Sequence, residues 1–213
     1  MKKYSACLII LTVGAMMLFA SCSDDNLTIV DNTEPIQSPE DSLAQLVEDN
    51  LLIDAYLSEN AVDEVFTTAA GARYYLLQEG QKGGKPELND IVSINFIGKY
   101  LDGTIFDSNI ESVADPEVIG KSNNDFSVWR FNYTVDGRQL GFTGQYGYLT
   151  LMPELKIGIG AALGLMDEGS KAMIILPSAI GLGPYGFDNN SGFAIPENTV
   201  LLFEISLVQV RNN

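Results

Sequence analysis

Two carboxylates, Asp102 and Asp107, stand five positions apart on either side of the turn Leu101-Asp102-Gly103-Thr104. Such a pair serves acid–base chemistry when one carboxyl is held neutral and the other charged, but nothing else nearby supports a glycosidase arrangement. What is missing constrains more. The 213-residue chain has no histidine, and so lacks the commonest general base near neutral pH and the commonest zinc ligand. Its two cysteines are Cys7 and Cys22. A Cys/His metal centre, a thiol nucleophile and a disulfide framework are therefore excluded from the folded part of the chain. Asp188-Asn189-Asn190-Ser191-Gly192 lacks the spaced acids and closing glutamate of a calcium loop and reads as a turn. Gly158-Ile159-Gly160 has no β-α-β unit around it and is not a dinucleotide fingerprint. The chemistry left must run on carboxylates, hydroxyls, backbone groups or an apolar pocket.

Hydrophobic residues make up 46% of the chain and charged residues 19%, enough for one packed domain with appendages. With 12 Lys and Arg against 28 Asp and Glu, the net charge is −16. That surface repels phosphate backbones, so no nucleic acid partner is expected.

The amino terminus reads as an address. Lys2 and Lys3 precede an apolar run from Ala6 to Ala20, too short for a typical span, which ends in small residues as a signal peptide does. Phe19-Ala20-Ser21-Cys22 resembles the lipobox of bacterial lipoproteins. The resemblance implies cleavage of residues 1–21 and a lipid on Cys22, holding the protein to the membrane of the cell envelope; an uncleaved anchor helix or an ordinary secreted protein is the alternative. Ser23-Asp24-Asp25 is similar to the acidic signal that sends some lipoproteins to the outer face of the outer membrane, and equally to a plain linker. Residues 22–37 are polar and acidic and form a flexible tether.

Ser38-Pro39-Glu40-Asp41 is a helix start: a Ser cap, Pro at the first position and an acid three residues after the cap. Leu43, Leu46, Val47, Ile53, Tyr56 and Leu57 follow at helical spacing, predicting an amphipathic helix over 38–60. From there to residue 213 the pattern is β-rich. Strands are expected at Tyr74–Leu77, Ile91–Ile97, Ile105–Ser108, Ala172–Leu176 and Val200–Val210, with one compact helix at Ile159–Asp167. Many strands and one short helix predict an α+β fold, an antiparallel β-sheet wrapped around that helix.

Four blocks then resemble, in order and spacing, the FKBP-type peptidyl-prolyl cis/trans isomerases. These are Asp90–Ser108 with its Phe106-Asp107-Ser108 ending, Leu155–Met166, Gly169–Gly183 with Pro177-Ser178, and Ile195–Leu207. The resemblance covers about residues 72 to 210. It implies an isomerase of X–Pro bonds acting on proline-containing polypeptide clients, without cofactor or metal. It implies a pocket wall of Phe96, Phe106, Asp107, Ile159, Leu182 and Phe203, with three phenylalanines gripping the proline ring. The backbone at Leu155 and Lys156 would hold a substrate carbonyl, and Phe131 would be a further pocket aromatic.

Three positions depart from the family: Ile159 replaces a tryptophan floor, Leu182 a tyrosine that binds a substrate carbonyl, and Phe96 a frequent tyrosine. A weak isomerase and a non-catalytic binding module both fit these changes. The N-terminal helix either docks on its own domain or makes a dimer contact, as in some relatives, and the oligomeric state stays open. The stretch 109–152 is long for the family and reads as a β-rich insertion. Phe131–Gly137 and Tyr146–Leu151 alternate equally well as candidates for the family's next strand. The added aromatics form either a hairpin with its own small core or a client-binding lip.

Overall fold

The computed structural model describes residues 38–113, 126–133, 141–142, 153–188 and 193–212. The expected signal peptide, Cys22, the tether, the segment Tyr146–Leu151 and much of the 109–152 insertion lie outside them.

Helix α1 runs from Pro39 to Glu59. Ser38 caps it: its Oγ accepts the Asp41 N–H at 3.1 Å, and the Asp41 carboxylate accepts the Ser38 N–H at 3.3 Å. This reciprocal box stabilises a helix end by about 1 kcal/mol. The apolar positions do not all share one buried face. Ile53 and Leu57 are buried, whereas Leu43 and Val47 are more than half exposed. The buried stripe is Asp49, Ile53 and Leu57, each four residues apart, with a carboxylate in the position one turn before Ile53.

The strands are β1 (Phe66–Thr67), β2 (Arg73–Gln78), β3 (Ile91–Lys99), β4 (Ile105–Ser108), β5 (Trp129–Asn132), β6 (Gly141–Phe142), β7 (Lys171–Leu176) and β10 (Leu201–Arg211). They form one antiparallel sheet in the order β1-β2-β7-β10-β3-β5-β6, with β4 also on β3. Between β7 and β10 lie two short strands, β8 (Phe187–Asp188) and β9 (Ala194–Ile195), which pair with each other.

Alternation along the central strands assigns their two faces. Ala172, Ile174 and Leu176 of β7 and Leu201, Phe203, Ile205 and Leu207 of β10 pack with helix α2 (Pro153–Leu163) and Met166. Met173 and Ile175 of β7 and Leu202 of β10 pack instead with Ile53 and Leu57 of α1. With both faces covered, the run Met173-Ile174-Ile175-Leu176 is apolar throughout instead of alternating with polar residues.

The expected helix bounds need correction. The helix begins at Pro153 and ends at Leu163, so it takes in Leu155 and Lys156 and stops before Asp167. Two internal glycines, each about 1 kcal/mol worse than Ala in a helix, hide its first half. One of them is needed for packing: a Cβ on Gly158 would come within 2.5 Å of Leu176 Cδ2.

Candidate active site

The hairpin β3–β4 carries most of the predicted residues. Its turn needs Gly103, at φ +86°, and Asp102 closes it by accepting the Thr104 N–H at 2.8 Å. That backbone hydrogen bond holds the exposed Asp102 carboxyl below its ordinary pKa. Asp107 is buried on the return strand, where its Oδ1 accepts the N–H of Ser108 at 2.8 Å. The two carboxylates therefore live in different environments, one a turn cap and the other part of the core edge.

Phe106 follows from its register. Asp107 pairs with Gly98 across the hairpin, and the Phe106 ring lies over Gly98. A Cβ there would stand 2.6 Å from both Cε2 and Cζ of the ring. Phe106 meets Phe203 of β10 edge to face, at 5.8 Å between centroids and 86° between planes. Phe203 in turn meets Phe96 of β3 at 6.2 Å, and Phe96 packs against Trp129 of β5 at 4.0 Å with the rings tilted by 40°. The partly buried Tyr100 packs against Phe106 at 5.1 Å between centroids. Phe96, Phe106 and Phe203 are exposed by no more than 2% of their surface. Together they form a packed apolar floor.

Ile159 from α2 and Leu182 from the loop after β7 belong to the same cluster, and so does Phe131, which pairs with Val92 of β3. Leu155 and Lys156 are the third and fourth residues of α2. The amide of Leu155 is thus among the first-turn donors that have no partner within the helix.

Phe96 is held at a break in the ladder. On one edge of β3, β5 pairs with residues 91 to 94 and β4 with residues 97 to 99. Side chains bridge the gap. Asn109 Oδ1 accepts the Phe96 N–H at 2.8 Å, and its Nδ2 donates to the carbonyls of Ile94 and Ser127 at 3.2 and 3.0 Å. Ser108 Oγ donates to the Phe96 carbonyl at 2.8 Å.

Trp129, Tyr100 and Asn109 were not among the expected site residues. Trp129 had a readable signal, since it sits two positions before Phe131 and so on the same face of an alternating strand. Asn109 had none, because a side chain standing in for a ladder bond leaves no periodic mark. The strand beside β3 is the one carrying Phe131. The expected turn at Asp188–Gly192 falls largely outside the described residues.

An antiparallel sheet closed over one short helix, with an aromatic floor at its β3–β4–β10 side, defines a class, and comparison with known proteins agrees with it. Residues 82–208, more than half of the chain, match the family model for FKBP-type peptidyl-prolyl cis-trans isomerases, and the chain belongs to that family. It is 27% identical to the probable FKBP-type isomerase FkpA of Neisseria meningitidis serogroup B, over 74% of this chain and 44% of that protein. It is 26% identical to the outer membrane protein MIP of Legionella longbeachae, over 74% of this chain and 52% of that protein. The chain thus spans about half the length of these curated relatives. A crystal structure of a peptidyl-prolyl isomerase from Pseudomonas syringae pv. tomato superposes with a TM-score of 0.51 at 22% identity, covering 83% of this chain and 99% of that one. That likeness bears on the fold.

Proposed function

We propose that this protein accelerates cis/trans isomerisation of X–Pro bonds in exported, incompletely folded polypeptides. The observation that carries this reading is the water-excluding floor of Phe96, Phe106 and Phe203 beside the buried Asp107, in a chain of the isomerase family.

The barrier to rotation about a prolyl amide is about 18–20 kcal/mol, and the uncatalysed step takes roughly tens to hundreds of seconds. Much of that barrier is amide resonance, which places negative charge on oxygen and positive charge on nitrogen. Water stabilises that charge separation and an apolar surface does not. A proline ring set on the three phenylalanines, between Ile159 and Leu182 and beside Phe131, loses that solvation. The twisted, less polar amide is then favoured relative to the planar one. Asp107, tied to the Ser108 N–H, orients the edge of the site and is assigned no part in proton transfer. The backbone N–H of Leu155, next to Lys156 in the first turn of α2, holds the carbonyl of the bound segment. Leu182 offers no hydroxyl to the substrate, which lowers the rate by about fivefold for each 1 kcal/mol of hydrogen bonding lost.

Isomerisation of short X–Pro peptides by the purified chain tests the reading. A rate above background, level between about pH 6 and pH 9, is expected. The chain has no histidine, the side chain that ordinarily titrates there. Burial pushes the phenols of Tyr74, Tyr100 and Tyr133 upward, so they stay neutral across that range. A bell-shaped profile would mean proton transfer and a different mechanism. The apolar Leu182 favours one second reading, a binding module that holds peptides without turning them over. Peptide binding with no acceleration for any residue before proline would establish that instead.

The envelope is the proposed place of action, through acylation of Cys22. The Ala20-Ser21-Cys22 sequence supports this, as does the outer-membrane name of a relative. Several acyl chains, at about 0.8 kcal/mol per buried methylene, anchor a protein without any spanning helix. Cys22→Ala is expected to abolish labelling by a radioactive fatty acid, and labelling that persists in this variant would exclude Cys22 as the acylated residue.

A further inference from the structure

Helix α1 reaches the loop that carries Leu182 through one buried carboxylate. Asp49 is wholly buried, and its Oδ2 accepts both the backbone N–H of Ser178, at 2.7 Å, and the Ser178 hydroxyl, at 2.6 Å. Its other oxygen accepts from Gln45 Nε2 at 2.9 Å. Ser178 opens a single 3-10 turn, Ser178–Ile180, closed by bonds from the Ile180 and Gly181 N–H groups to the carbonyls of Pro177 and Ser178. Leu182 comes two residues after that turn, buried in the aromatic cluster. On its far side the Gly183 carbonyl accepts the Asn198 N–H at 2.8 Å. The loop is therefore clamped at both ends, and the clamp before Leu182 comes from an element 129 positions earlier in the chain.

We propose that Asp49 is a positioning residue for the active-site loop, so that α1 belongs to the catalytic unit rather than serving only as its support. The inference rests on the isomerase reading for its consequence and on the geometry for its cause. A buried carboxylate taking two hydrogen bonds from one residue fixes that residue in place and direction, since charge-assisted bonds are short and strong. Three residues separate Ser178 from Leu182, and two bonds of the turn stiffen that span. Loss of the anchor frees the start of the loop and lets the Leu182 wall move relative to Phe96, Phe106 and Phe203. Misplacement of a wall by about 1 Å is enough to lower a rate severalfold or more.

The test compares four variants of the full chain in mild detergent: Asp49→Ala, Asp49→Asn, Ser178→Ala and Ile53→Ala. The readout is kcat/KM on X–Pro peptides, at a temperature where circular dichroism shows each to be folded. Ile53 is the control, because it is equally buried on α1 but clusters with Tyr75, Met173, Ile175 and Leu202 on the sheet face away from the aromatic floor and makes no hydrogen bond to Ser178 through its apolar side chain. Asp49→Ala is expected to lower kcat/KM by roughly five- to twentyfold. Asp49→Asn, whose amide oxygen can still accept from Ser178, is expected to restore it to within about twofold. Ser178→Ala, which keeps the N–H bond, falls between the two and decides the matter if Asp49→Ala does not fold. Ile53→Ala is expected to lose thermal stability but keep its kcat/KM.

Equal loss of kcat/KM in Ile53→Ala and Asp49→Ala, or no loss in either, overturns the proposal. If the unaltered chain shows no isomerase activity, the functional reading fails and amide exchange decides the positioning claim. Faster exchange at Ile180 and Gly181 in Asp49→Ala, but not in Ile53→Ala, upholds it. Equal exchange in the two overturns it.

Discussion

Gly98→Ala is expected to lower X–Pro isomerisation by roughly ten- to a hundredfold in a chain that still folds. The new methyl would lie 2.6 Å from two atoms of the Phe106 ring and 3.3 Å from a third, so the ring must move. It has nowhere free to go, because it is 1% exposed, edge-on to Phe203 and packed against Tyr100. Forcing a methyl into such a core costs about 1–3 kcal/mol in stability, which a domain of this size survives. A displacement of about 1 Å at the reacting surface costs about a hundredfold in rate at the upper end. Gly103→Ala, in the same hairpin, is the matched comparison. At φ +86° with nothing within 4 Å of the added atom, it strains the backbone without touching the ring. It should lose stability by about 1–2 kcal/mol and keep its rate. Peptide isomerisation followed by NMR exchange, with melting curves for both variants, checks the pair. An undiminished rate in Gly98→Ala would remove Phe106 from the site.

The second large effect is on stability. Asn109→Ala deletes four side-chain hydrogen bonds at the gap in the β3 edge and leaves the buried Phe96 N–H without an acceptor. An orphaned buried donor costs about 1–3 kcal/mol, and the lost side-chain packing adds to this, for about 3–4 kcal/mol in all. In a domain of this size that lowers the melting temperature by about 6–16 °C. Asn109→Asp keeps the acceptor for Phe96 but meets the Ile94 and Ser127 carbonyls with a carboxylate. It should be nearly as damaging at neutral pH. A change under about 1 kcal/mol in both variants would show that water replaces the side chain at the gap.

The comparison of sequence with fold turns on these same elements. The Ser38 cap, the alternation of Ile91–Ile97 and the order of the four blocks were legible because each is a local pattern repeated over several residues. The bounds of α2 were not, since its glycines obey the packing demand of Leu176 rather than helix propensity. The exposure of Leu43 and Val47 escaped the pattern too, because helical spacing says which residues share a face and not what lies against it. The Asp49–Ser178 bond and the Asn109 bridge are single contacts between distant or irregular segments. Neither leaves a mark in the sequence, since Asp49 stands between Glu48 and Asn50, and Asn109 follows Asp107 and Ser108. The Phe96–Trp129 contact lay between these extremes, available from alternation once β5 had been assigned to the sheet.

Strand β10 comes last in chain order among the described strands, yet lies between β7 and β3, with β2 beyond one and β5 beyond the other. Until residues 201–211 have left the ribosome, the two halves of the sheet share no seam. Phe203 is then missing from the aromatic floor, and Leu202 from the face that receives α1. The barrier to folding therefore includes closing a long loop before most native contacts form. A chain that lacks β10 therefore cannot close its sheet, and its two halves have only their own local pairings to hold them.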